Sequence, residues 1–256
     1  MNVLILGDIY GRPGRRIVAE YLPELVEQYK PVLIVANGEN AAGGFGLTRK
    51  VAEELFALGI HVLTSGNHIW DQKEMYAYIG EDPRILRPAN YPPQVPGNSV
   101  YLHRCQGAVV AVVSLMGRGF MGDYDCPFRT ADQILASLPP EVTHVIIDFH
   151  GEATSEKIAL AHYLDGRVSA VVGTHTHVPT ADEQILPQGT AYITDLGMCG
   201  PIHSVLGVDP QIVINKFLTQ LPARFAVAKG PAALNGVVIS LTENGLAEGI
   251  LRLNLQ

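Results

Sequence analysis

The sequence predicts an α/β fold with a ligand site at the carboxyl edge of a parallel sheet, and three observations carry that prediction. Short runs rich in valine, isoleucine and leucine alternate with stretches whose apolar residues follow helical spacing. The polar residues that close three of these runs, Asp8, Glu39 and Asn67, are separated by about the 30 residues of one βαβ unit. Right-handed crossovers then bring the three strand ends to one edge of the sheet, where open α/β sheets bind ligands.

Each element follows from local pattern. Residues 3–6 read as a buried strand ending at Gly7-Asp8. After a turn at 10–14, Ile17, Tyr21, Leu25 and Tyr29 mark a helix, in which Pro23 predicts a kink or restart. Residues 32–36 form the next strand and run into the loop 37–44. Thr48 is the expected N-cap of a helix carrying Val51, Leu55 and Leu58. Residues 62–64 then lead into Ser65-Gly66-Asn67-His68. In the middle, Pro88, Pro92, Pro93 and Pro96 punctuate a loop, and strands at 100–102 and 109–114 flank a turn at Gln106-Gly107. The Gly-containing segment 117–127 reads as a rim over the site. A second α/β stretch follows: a strand at 143–149 ending at His150, a helix at 155–164, and a strand at 169–172 closed by Gly173-Thr174-His175-Thr176-His177. Residues 181–186, 191–194, 237–242 and 246–253 read as strands. With no repeat, linker or low-complexity tract, one domain over 1–256 is expected.

Composition narrows the function. The formal charge of −7 argues against a broad face for long nucleic acid. Arg12, Arg15 and Arg16 cluster locally, either as a solvated helix face or as a phosphate contact. No apolar run reaches the roughly 18 to 20 residues that span a membrane, and the amino terminus lacks a basic leader, so a cytoplasmic protein is expected. Cys105, Cys126 and Cys199 are odd in number and far apart, which suggests neither a disulfide framework nor a thiolate zinc site.

The polar strand ends carry the chemistry: Asp8, Glu39 with Asn40, Asn67 with His68, His150, and His175 with His177. Singly, each has a structural explanation as a helix cap, a solvated acid or a core histidine bonded to backbone. Together, five strand ends supply the carboxylate, amide and imidazole donors that manganese, iron or zinc accept. They are too many for one ion, and a two-metal site sharing one carboxylate uses them economically.

The ordered set Gly7-Asp8, Gly38-Glu39-Asn40, Gly66-Asn67-His68 and Gly173-Thr174-His175-Thr176-His177 resembles the binuclear metallophosphoesterase signature. The resemblance is closer to one branch, the YmdB-like family of 2′,3′-cyclic-nucleotide 2′-phosphodiesterases. It is carried by Gly7-Asp8-Ile9-Tyr10-Gly11-Arg12-Pro13-Gly14, Ala36-Asn37-Gly38-Glu39-Asn40-Ala41-Ala42-Gly43-Gly44 and Asp195-Leu196-Gly197-Met198-Cys199-Gly200-Pro201. Ser204-Val205-Leu206-Gly207 and Leu221-Pro222-Ala223-Arg224-Phe225 add to it. The chain departs from the wider superfamily at Tyr10, where many members place a histidine, at Glu39, where the bridging residue is usually aspartate, and at Ile69, which replaces an acid and is followed by Asp71.

The resemblance implies a metallophosphoesterase-like α/β/β/α sandwich with the metals at the carboxyl ends of the strands. On this reading Asp8, Glu39, Asn40 and His177 hold one ion, and Glu39, Asn67, His150 and His175 hold the other. Iron is favoured over manganese or zinc. A hydroxide activated between the ions attacks phosphorus in line to leave a 3′-nucleotide, and His68, kept outside the coordination shell, either protonates the departing 2′-oxygen or only orients Asn67 or substrate. The implied partners are a small phosphodiester substrate and further copies of the chain. Cys199 is read as a buried small residue, while Arg118 and His203 are open between solvated surface and substrate contact. Two alternatives are a phosphoesterase acting on another ester and a regulatory metal- or nucleotide-binding protein with vestigial hydrolysis. A dinucleotide fold is disfavoured because no G-x-G-x-x-G follows the first strand.

Overall fold

Alternation along the first strand, β1 (Asn2–Ile9), sets the layers of the molecule. Leu4 and Leu6 face outward and Val3 and Ile5 inward, so each face meets a different partner. The computed structural model describes residues 1–256. After β1 come α1 (Gly11–Tyr29), β2 (Leu33–Asn37), α2 (Arg49–Ala57), β3 (Val62–Thr64) and the single turn α3 (Met75–Tyr78). β4 (Val100–Cys105), β5 (Ala108–Met116), α4 (Pro127–Ser137), β6 (His144–His150), α5 (Thr154–Leu164) and β7 (Ala170–Thr174) follow. The chain ends with β8 (Gln184–Ile185), β9 (Ala191–Ile193), β10 (Met198–Pro201), α6 (Pro210–Thr219), β11 (Ala232–Leu241) and β12 (Ala247–Leu255).

Two six-stranded sheets result, ordered β12-β11-β10-β1-β2-β3 and β4-β5-β6-β7-β9-β8. Val3, Ile5, Leu33 and Val35 of the first sheet meet Val110, Ile146 and Val172 of the second in the central layer. Leu4 and Leu6 pack outward against Ile17, Val18 and Leu22 of α1 and Leu55 of α2. On the opposite outside, Ile147 and Phe149 pack against Ala131 of α4 and Leu160 of α5. The layers are therefore α/β/β/α. Burying each of these large apolar side chains contributes about 1.5–3 kcal/mol. The strands β1, β2 and β3 run parallel, as do β5, β6 and β7, so the carboxyl ends named from the sequence gather at one edge of the sandwich.

Several local expectations hold. Thr48 Oγ1 accepts from Val51 N at 3.3 Å and caps α2. Gln106 and Gly107 adopt φ of 44° and 83°, the paired positive values that a tight two-residue hairpin requires. Others need correction. The helix α1 begins at Gly11, inside the expected turn, and is continuous through Pro23. Pro23 lies on the exposed side, while Ile17, Val18, Leu22 and Leu25 are buried on both sides of it, and that packing holds the helix together. The strand expected over 181–186 contracts to β8. The helices α4 and α6 and the strand β10 add to the elements expected from the sequence. No helix is long and apolar enough to cross a membrane.

Candidate metal centre

The turn after β7 brings the paired histidines to one point. His175 and His177 take φ of 107° and 64°, so the backbone reverses at each and both rings face the edge where β1, β2 and β6 end. Non-glycine residues in this region carry of order 1–3 kcal/mol of strain.

Two groups of donors form there. In the first, Glu39 Oε1 at 3.0 Å, Asn67 Oδ1 at 3.1 Å and His175 Nδ1 at 3.0 Å all crowd His150 Nε2. Ligand atoms of Glu39, His150 and His175 lie within 4.8 Å of one another. Thr174 Oγ1 donates to Asp148 Oδ1 at 2.7 Å, and therefore accepts from His150 Nδ1 at 3.0 Å, which aims Nε2 into the cluster. One proton on Nε2 cannot serve three acceptors. A shared cation can.

In the second group, His177 Nε2 lies 3.3 Å from Asn40 Oδ1 and 3.9 Å from Asp8 Oδ1. His177 Nδ1 donates to the Leu206 carbonyl at 3.0 Å, and Asn40 Nδ2 donates to the Gly44 carbonyl at 3.1 Å. Both side chains thus present an acceptor inward. Asp8 Oδ1 is buried without a hydrogen-bond partner. With Asp8 ionised these are three acceptors with no donor among them, a buried arrangement that a bound cation resolves.

The charge balance agrees. Asp8, Glu39 and Asp148 are buried together. Burial, reinforced by Asp195, Glu39 and Asp148, pushes the Asp8 carboxyl well above its usual range despite His150. Burial also opposes charge on Glu39, but His150 and His68 outweigh it and hold its pKa at about 2. His150 resists burial in the same way, drawn up to about 9 by Glu39, Asp8 and Asp148, and His175 is pressed down to about 3 by burial and by His150. A single protonated imidazole leaves the cluster short of positive charge, and the donor set fits transition-metal ions.

His68 stands beside this cluster. Its backbone N donates to Glu39 Oε2 at 2.9 Å, and its Nδ1 lies 2.8 Å from Asp71 Oδ2. All eight residues expected from the sequence therefore meet at one edge. Arg118 and His203 are exposed and stand outside the cavity that holds His68, Glu39 and His175, while Arg12 lines a separate groove with Arg16 and Lys229. Cys199 is buried, its Sγ donates to the Asn235 carbonyl, and burial pushes its pKa up to about 12, so it is inert as a nucleophile. The sequence reading gave no role to Asp148, Thr174, Lys157 or Glu152, whose Oε2 lies 3.2 Å from His175 Nε2. Asp71, Thr174 and Asp195 were visible in it, within or beside the motifs.

Comparison with known proteins gives a consistent result. The sequence model of the family described as YmdB-like protein matches residues 4–253. A 2′,3′-cyclic-nucleotide 2′-phosphodiesterase of Bacillus subtilis (strain 168) is 49% identical over 243 residues, covering 95% of this chain and 92% of that protein. A hypothetical protein of Thermus thermophilus, of known crystal structure, superimposes with a TM-score of 0.94 at 42% identity, over the full length of both chains. A Mycoplasma pneumoniae protein described as a novel phosphatase has a TM-score of 0.94 at 34% identity, over all of this chain and 93% of the other. The layered sandwich is metallophosphoesterase-like, and the chain belongs to the YmdB-like protein family.

Proposed function

We propose that this chain is a metal-dependent phosphoric diester hydrolase that opens 2′,3′-cyclic nucleotides to 3′-nucleotides. The observation that carries the proposal is the convergence of three acceptors on His150 Nε2, beside a second group of acceptors around Asp8 Oδ1. The identity and full coverage of the Bacillus subtilis phosphodiesterase support the substrate class.

In this reading Asp8, Asn40 and His177 hold one ion, Asn67, His150 and His175 hold a second, and Glu39 is shared. Iron is the first choice, with manganese or zinc compatible with the same donors. When bound, the ions lower the pKa of water and offset charge on the phosphoryl oxygens. His68 supplies the proton. Asp71 holds its Nδ1 at 2.8 Å and so orients the ring. The proton on His68 Nε2 passes to the 2′-oxygen as the phosphorus–2′-oxygen bond breaks, and the water oxygen becomes part of the 3′-phosphate. Thr174 and Leu206 fix the ring positions of His150 and His177.

The chain functions as one domain in this proposal, because both sheets share the central layer. Three free cysteines favour a reducing cytoplasm. The exposure of Phe217 at 73%, Leu218 at 80% and Leu221 at 64% supports self-association.

Elemental analysis of the purified protein, paired with hydrolysis of a 2′,3′-cyclic nucleotide before and after chelation, tests the function. Close to two ions per chain, with activity abolished by chelator and restored by iron or manganese, is expected. Two ions without turnover would retain the centre and discard the substrate. No metal under any loading condition would overturn the reading.

A further inference from the structure

An aromatic wall leads out of the metal-ligand cluster. The cavity of about 420 Å³ that Glu39 and His68 line at one end is walled by Tyr10, Phe45, Val208 and Phe225 elsewhere. Phe45 meets the His68 ring edge-on, with centroids 5.3 Å apart. Phe225 lies nearly parallel to Phe45, at 16° and 6.5 Å between centroids. Lys216 Nζ sits 4.6 Å from the centroid of Phe225, a cation–π contact that steadies the ring. Both phenylalanines are partly buried and line the cavity, and Phe225 rests on the small cluster of Tyr10, Val208 and Val213. Phe225 ends the Leu221-Pro222-Ala223-Arg224-Phe225 string, which the metal cluster does not use.

We propose that Phe45 and Phe225 form the nucleobase subsite: the base stacks on this pair while its ribose phosphate lies at the His68 end. The inference rests on the cyclic-nucleotide reading above. Paired rings offer no donor or acceptor, so selection follows the stacking area of the base rather than its edge. Base–aromatic stacking is tolerant of sequence because every base has a π face. Purines are therefore favoured over pyrimidines, and no base is excluded.

The test is steady-state kinetics on 2′,3′-cyclic AMP, 2′,3′-cyclic CMP and the base-free methyl riboside 2′,3′-cyclic phosphate. Phe225→Leu keeps apolar bulk without a π face and is expected to lower kcat/KM for cyclic AMP about tenfold or more. It should leave the base-free diester within about twofold, since that substrate reaches only the phosphate end. Phe225→Trp should retain wild-type preference, and Phe45→Leu, which also removes the ring edge-on to His68, should lower the ratio of cyclic AMP to base-free kcat/KM in the same direction. Equal losses on nucleotide and base-free diester, or no loss on cyclic AMP, would overturn the subsite. Calorimetric titration of adenosine 3′-phosphate against its base-free counterpart yields the same ratio without turnover. An inactive wild type would then count against the reaction, while the binding ratio still decides the subsite.

Discussion

Lys157 Nζ lies 2.8 Å from Asp195 Oδ2 and 2.8 Å from the Thr174 carbonyl, with both side chains withdrawn from solvent. Asp195 Oδ2 also accepts from Thr176 N at 3.0 Å, and its Oδ1 from Gly197 N at 2.8 Å. The pair therefore grips the backbone on both sides of His175, where the positive φ angles store strain. Removing one partner leaves an uncompensated buried charge and costs about 3–5 kcal/mol. Lys157→Met is expected to lower the thermal unfolding midpoint sharply and to reduce metal content. Adding Asp195→Asn should recover part of the stability, because the orphaned carboxylate is then gone. A Lys157→Met protein that melts like wild type would show that the pair does not hold the turn.

In the proposed mechanism His68 moves a proton and does not bind metal, and its Nδ1 contact with Asp71 Oδ2 at 2.8 Å makes that testable. His68→Ala should reduce turnover by about 10²–10⁴-fold, the usual contribution of a general acid, with metal content near that of wild type. Asp71→Asn, which leaves the ring in place but loosens its orientation, should cost about 10–100-fold. Glu39→Gln should behave differently and lose metal along with activity. Equal loss of metal in the His68 variant would make that residue a ligand, and full metal occupancy in the Glu39 variant would refute its shared role.

Much of this site was legible in the chain because parallel strands leave no choice about where their ends go. Once Asp8, Glu39 and Asn67 close successive βαβ units, the topology places them on one edge. His150 and His175 could be added because their strands are also parallel, although nothing in the spacing told that they belong to a second sheet. The layering became readable only through the resemblance. Lys157 was invisible for a different reason: a lysine within a helix reads as solvated, and only tertiary packing reveals that α5 points it at Asp195. Pro23 failed for a similar cause, since the buried stripe of α1 overrides a local break. The helix α6 carries Ile214, Phe217 and Leu218 on exposed positions, so it lacked the one-sided burial that marks helices in a sequence.

Gly66 has no side chain because His150 occupies the space. A Cβ at Gly66 would lie 2.0 Å from His150 Cδ2 and 2.3 Å from Nε2, well inside contact distance. Gly66→Ala must push the imidazole away from Glu39 Oε1 and Asn67 Oδ1 or shift the turn after β3. Overpacking of this kind costs typically about 1–3 kcal/mol, and displacement of a ligand ring should weaken metal affinity more than stability. Competitive chelation of the loaded variant measures the first effect and thermal unfolding the second. Wild-type metal retention would mean that the ring has room to move without leaving the cluster.

Acid sensitivity should have a contribution from a carboxyl outside the proposed ligand set, Asp182. Burial raises this carboxyl, but hydrogen bonds from Thr180 Oγ1 at 2.6 Å, from the Thr194 hydroxyl, and from Thr194 N at 3.1 Å outweigh it and hold the pKa below the usual value. A carboxyl depressed in the folded state binds its proton more readily when unfolded. Its stabilising contribution is therefore complete above the unfolded pKa of about 3.9 and disappears as pH falls through the lower folded value. Asp182→Asn keeps an amide oxygen for Thr180 and Thr194 N but cannot titrate. The variant should be less stable than wild type at neutral pH and should lose stability less steeply below about pH 4. Chemical unfolding measured across the acid range tests the sign directly, and identical slopes for the two proteins would show that Asp182 carries no folding-linked proton.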